Sequence, residues 1–149
     1  MPINEYEFFT GVVLNGLLKY GVAIKIEEFP TKSSNSFMLN GNKVGIYIKY
    51  SKKTISPWRF TFLKEHQEEF QAMSELCDNA FLILVCGHDG IVSIKNNTLK
   101  RVLNETYEEE EWISASRLKR ESYTIKGSDG QLNFKINLKD FPRDIIQSL

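Results

Sequence analysis

Apolar residues recur at helical spacing over residues 3–19. Phe8, Val12 and Leu18 fall near one face, Phe9, Val13 and Leu17 widen it, and Asn4 stands where an N-cap belongs. Gly21, just after Lys19 and Tyr20, supplies a stop. Residues 22–29 then alternate as a strand, and residues 30–35 have loop composition. A short strand over 36–40, a tight turn at Gly41-Asn42 and a strongly β-forming stretch over 43–51 make a hairpin. A basic link, residues 52–57, leads to an extended segment at 58–62. Leu63, His66, Phe70, Met73 and Cys77 recur at helical spacing and predict a second helix over 63–77. Residues 80–86 are continuously apolar and bounded by turn signals, as in a central strand covered on both faces.

Beyond that run the pattern is weaker. A turn at His88-Asp89-Gly90 leads to a strand over 91–94 and a short helix over 97–104. Residues 105–111 form an acidic connector that reads as solvated. Strands are expected over 112–119, 122–126 and 131–138, the last two joined by a turn through 127–130, with a short helix starting at Asp140. The whole predicts one α/β domain over residues 1–149: a central mixed β-sheet flanked by helices, with a C-terminal β-hairpin extension.

Composition narrows the class. Of 149 residues, 42% are hydrophobic and 26% charged, which is globular rather than disordered. The 19 basic and 19 acidic residues cancel, which excludes broad attraction to nucleic acid or anionic membrane and leaves only local patches. Cys77 and Cys86 fall on a helix and a buried strand and read as reduced core residues. No Cys/His cluster has zinc-ligand spacing. The first residues carry acids where a signal peptide carries bases, and no apolar run approaches the roughly 20 residues that span a bilayer. A cytoplasmic location with no membrane partner is expected.

The order helix, strand, strand–turn–strand, helix, strand over residues 3–86 resembles the core of the PD-(D/E)XK (restriction-endonuclease-like) nuclease superfamily. The segment that carries the resemblance is residues 35–51, NSFMLNGNKVGIYIKYS. In that family an Asp opens the first hairpin strand, a Glu/Asp-X-Lys motif lies on the second, and a helix bearing a Gln follows. Here Ser36 (or Asn35) stands at the Asp position, Tyr47 at the Glu position, and Lys49 keeps the lysine; Gln67 falls at the helix position. Residues two apart on a strand share a face, so Tyr47 and Lys49 point the same way. The family's acids hold Mg²⁺ through hard oxygens, and its lysine stabilises phosphoryl charge. A hydroxyl and a phenol replace those acids here.

The resemblance therefore implies a nuclease-like domain degenerate in catalysis, with Lys49 as a catalytic remnant, acting as a nucleic-acid-binding or accessory module for DNA or RNA. The expected contacts are Ser36, Tyr47, Lys49, Lys52, Lys53, Trp58, Arg59 and Gln67, with Tyr47 and Trp58 as stacking surfaces and the cations on phosphates. No metal ligand and no cofactor is expected unless carboxylates have migrated; sources for Mg²⁺ would be Glu5, Glu7, Glu27, Glu28 or Glu69, while Glu65 and Glu68 point to solvent. Such a migrated site would make the chain a metal-dependent nuclease. The other alternative is a protein–protein or homodimerisation module on the same fold. Arg117, Lys119 and Arg120 form a second basic cluster on an expected strand face. His66 reads as a satisfied core residue and His88 as part of a turn; neither has a nucleophile partner for a hydrolytic triad.

Overall fold

In the computed structural model, which describes residues 2–32, 35–104, 106 and 110–149, the hairpin and the apolar run lie together in a five-stranded sheet. Its strands are β1 (Ile26–Glu28), β2 (Asn35–Leu39), β3 (Val44–Ser51), β5 (Asn79–Cys86) and β6 (Gly90–Lys95), in the order β1-β2-β3-β5-β6. Only β3 and β5 run parallel, Val44 opposite Asn79 through Ser51 opposite Cys86. Between them the chain forms β4 (Trp58–Phe62) and then the helix α2 (Lys64–Leu76). Helix α1 (Glu5–Lys19) precedes the sheet, and α4 (Asp140–Gln147) ends the chain. Strand β4 leaves the first sheet and joins β7 (Glu111–Ser116), β8 (Thr124–Gly127) and β9 (Gly130–Gln131) in an antiparallel second sheet; α3 (Asn96–Leu99) connects the two. The α/β class and the mixed sheet flanked by helices are as the sequence predicts.

Alternation along β3 and β5 splits the apolar residues between two cores, one on each face of the first sheet. Val44, Ile46, Ile48, Phe81, Ile83 and Val85 face α1 and α4. Tyr47, Leu82, Leu84 and Cys86 face α2 and the second sheet, among Phe60, Phe62, Phe70 and Ile113. Helix α2 sits close to β3: a Cβ on Gly45 would come within 2.5 Å of Met73 Cγ, so this strand position is restricted to glycine. The hairpin turns through left-handed backbone at Asn40 and Gly41 (φ 53° and 72°), one residue earlier than expected.

Several expected elements differ. The strand expected over 22–29 is confined to Ile26–Glu28, because Ile26 already pairs with Leu39 at the hairpin's end and residues before it pass beyond the sheet. On α1 the buried residues are Thr10, Val13 and Leu17, while Phe8, Val12 and Leu18 are exposed, so the core stripe is offset from the one expected. The helix expected over 97–104 is one turn, Asn96–Leu99. The strand expected over 112–119 stops at Ser116, where the Arg117 N–H turns to Ser56 Oγ. The strand expected over 131–138 shrinks to Gly130–Gln131 plus an isolated Tyr123–Ile136 bridge. Most of the acidic connector lies outside the described residues, but Glu111 is buried in β7 opposite Phe62 rather than solvated. Among the described residues no helix is long and apolar enough to cross a membrane.

Candidate functional site

Tyr47 and Lys49 share one face of β3, but Tyr47 is fully buried and Lys49 is partly exposed. The last pair between β2 and β3 is Asn35 with Ile48, and β1 stops earlier, with Glu28 opposite Phe37. Tyr47 lies within the paired region, opposite Ser36 and Leu82, and is fully buried. Lys49 pairs with Leu84 on β5 and is partly exposed. A groove of about 690 Å³ opens at this end of the hairpin. Its lining includes Tyr6 and Thr10 of α1, Lys32 of the loop before β2, Asn35 of β2, and Lys49, Arg59 and His66.

The Lys49 stem runs along Phe62, with Nζ 5.3 Å from the ring centroid. Nζ lies 3.0 Å from His66 Nδ1, and the Leu63 N–H donates to the same nitrogen at 3.1 Å. His66 is the third residue of α2 and caps its first turn by that bond. A nitrogen that accepts a backbone N–H carries no proton, so the neutral ring holds its hydrogen on Nε2, and the single Nδ1 lone pair is shared between the Leu63 N–H and the Lys49 ammonium. Burial pushes the Lys49 ammonium down to about 8, against the upward pull of the Glu69 charge. His66 is also lowered, by burial first and by the Lys49 charge second, with Glu69 opposing.

Glu69, one turn on from His66, accepts the Tyr47 hydroxyl at 2.7 Å through Oε1 and the Lys32 backbone N–H at 2.9 Å through Oε2. It thereby ties α2 to β3 and to the loop before β2. Asn35 donates to Thr10 Oγ1 at 2.5 Å, which fixes the opposite wall to α1.

The expected contact set divides. Lys49 and Arg59 line the groove; Arg59 also lies over the Trp112 ring, 4.7 Å from its centroid. Tyr47 cannot stack a base, because its ring is enclosed by Phe62 and Phe70 and its hydroxyl is bound to Glu69. Trp58 is likewise buried, its indole N–H donating to the Lys53 carbonyl at 2.8 Å. Gln67 faces away from the groove and donates to the Phe62 carbonyl at 2.9 Å. Ser36 is buried beneath the hairpin face, and its hydroxyl has no hydrogen-bond partner among the described residues. Lys52 pairs with Glu5 at 3.2 Å, and Lys53 folds onto the Pro57 carbonyl at 2.9 Å. Both lie at the surface but outside the groove wall. His66, read from the sequence as a core residue, is half-buried and lines the groove. Its position at the third residue of a helix lacking a side-chain cap is the signal that could have found it.

The second basic cluster is not a strand face. Arg117 folds inward, its Nε and Nη2 donating to Asp89 at 2.6 and 2.8 Å, and the Tyr123 hydroxyl donates to the same carboxylate at 2.6 Å. Burial alone would raise Asp89, but the hydrogen bonds from Arg117 and Tyr123, with the Arg117 charge, outweigh it and hold the carboxyl low. This clamp joins the turn after β5 to the second sheet and is structural.

The donor set does not fit the family's two-carboxylate metal site. Of the candidate carboxylates only Glu69 approaches the motif positions, both its oxygens are engaged, and a lysine ammonium lies nearby. Glu5 pairs with Lys52 and Glu27 with Lys25, while Glu7, Glu28, Glu65 and Glu68 are exposed. No family model, curated protein or solved structure matches the chain.

Proposed function

We propose that this chain is a nuclease-like α/β domain of the PD-(D/E)XK type that binds nucleic acid by its phosphate backbone and is degenerate in catalysis. The observation that carries the reading is Lys49. It stands on the second hairpin strand, two residues after Tyr47, and lines a groove that also holds Lys32 and Arg59. Three cations on one concave surface suit phosphate oxygens even on a chain with no net charge. The sheet order supports the same reading: an antiparallel hairpin followed by a helix and a strand parallel to the second hairpin strand. Tyr47 and Ser36, standing where the resemblance puts carboxylates, are packing residues.

A second reading, a metal-dependent nuclease using a relocated acid, would require Glu69 to give up its bonds to Tyr47 and to the Lys32 N–H. One experiment separates them. Labelled single- and double-stranded DNA and RNA are titrated at low salt with wild type and Lys49→Gln, then incubated with Mg²⁺, Mn²⁺ or EDTA. Binding weakened by the substitution, with no cutting, supports the binding module. Metal-dependent cutting lost in Glu69→Gln would replace it with the nuclease, and no binding to any of the four would remove both.

A further inference from the structure

Lys49 has properties that phosphate binding does not call for. A lysine that only attracts phosphate does so best as a hydrated, permanently charged ammonium. Here the nitrogen lies against the Phe62 ring, 3.0 Å from His66 Nδ1, an acceptor it shares with the Leu63 N–H. Burial beside an apolar wall is the usual way a protein converts a lysine into a nucleophilic amine. The groove in front of it has space for a sugar-sized ligand, and Lys32 and Arg59 stand ready for an attached phosphate.

We propose that Lys49 is an imine-forming amine that captures aldehydes bearing a phosphate. The Nζ lone pair attacks the carbonyl carbon, and the C=O π pair moves onto oxygen, which takes up a proton. Nitrogen gives up one proton as the carbinolamine forms, and its second proton leaves with the hydroxyl as water, so that the nitrogen lone pair closes C=N. One amine and one aldehyde give one imine and one water, with no change of oxidation state. Two sources supply this chemistry: the ring-opened sugar of an abasic site in a nucleic-acid strand, and a free phosphorylated aldehyde. The first rests on the nucleic-acid reading above; the second does not.

Cyanoborohydride, a hydride donor that reduces imines to stable secondary amines, traps the adduct. The probes are glyceraldehyde 3-phosphate, glyceraldehyde, an oligonucleotide with one abasic site, and the same oligonucleotide with a tetrahydrofuran residue, which has no aldehyde. Peptide mass mapping locates the label. With glyceraldehyde 3-phosphate at pH 7.4, Lys49 is expected to label about tenfold faster than exposed lysines, because far more of it is unprotonated. The rate should fall several-fold with unphosphorylated glyceraldehyde and in Arg59→Gln. Lys49→Arg, which keeps the charge and cannot form an imine, abolishes it. Inorganic phosphate should protect Lys49 in the wild type, a readout that holds even where a variant misfolds. Label spread evenly over the lysines, or indifferent to phosphate, overturns the proposal. Capture of the small aldehyde without the abasic strand keeps the proposal and removes the nucleic-acid source. Intact strands that bind while neither aldehyde is trapped keep the binding reading and remove the proposal.

Discussion

Lys49 Nζ and the Leu63 N–H meet on one atom, His66 Nδ1, at 3.0 and 3.1 Å. The cap of α2 and the one lysine at the end of β3 therefore share an acceptor, so the first turn of the helix sets where the ammonium sits. The groove is positioned by secondary structure rather than by a loose loop.

The buried charge has a measurable cost. The folded pKa of Lys49, about 8, lies below its ordinary 10.5. Between those values the unfolded chain holds more protons, so stability rises with pH, and the penalty is fully present below pH 8. Lys49→Met should raise stability at pH 7 by about 1–3 kcal/mol, and the gain should shrink as pH rises from about 8 to 10.5. Denaturant titrations at pH 7 and 10.5 measure it; a gain unchanged at high pH would contradict the burial argument.

Binding should follow the groove and not the surface charge. Arg59→Gln and Lys49→Gln should each weaken oligonucleotide binding about tenfold at low salt and reduce the salt slope by about 1. Lys135→Gln, at a lysine paired with Glu121 and absent from the groove wall, should leave both unchanged. Anisotropy across a salt series reads all three.

The Tyr47–Glu69 contact can be tested from either side. Tyr47→Phe removes one hydrogen bond from a buried ring and should cost about 1 kcal/mol. Glu69→Gln removes the charge that pulls the Lys49 pKa upward, so the Lys49 midpoint should fall further. NMR titration of ¹³C-methylated lysines follows that midpoint; an upward movement would show that another group sets it.

The Arg117–Asp89–Tyr123 clamp should dominate the acid limb of stability. Because Asp89 is held low in the folded state, its contribution is complete above the ordinary carboxylate range and is lost as pH falls through the folded value. Asp89→Asn should cost about 2–3 kcal/mol at pH 7 and flatten the decline below pH 4. A thermal melt series from pH 3 to 7 is sufficient.

The strongest sequence signals were local. Helix α2, the hairpin and β5 were readable because their periods are sustained and their ends carry turn residues. The third of the chain after β6 was not, since its strands are short and owe their limits to distant partners: β7 stops at Ser116 because Arg117 is drawn to Asp89, 28 residues away. At the site, alternation correctly put Tyr47 and Lys49 on one face but carried no information on depth. Depth came from distant packing, with Tyr47 enclosed by Phe62 and Phe70 and Lys49 lining the groove. Trp58 and Gln67 were misread for a related reason, since strand β4 belongs to a second sheet that covers the face both were expected to expose. Glu69, one of several carboxylates the sequence offered, meets the motif through Tyr47, a contact 22 residues apart.

Strands β3 and β5 present one face to each of the two cores. Neither core can open without stripping a side of the same pair, so the layers have no independent melting points. The amides of Ile46, Ile48, Leu82 and Ile83 should be the slowest in the chain to exchange with deuterium, all at one common rate-limiting free energy. That value is the stability of the whole molecule, and the two layers rise and fall together with it.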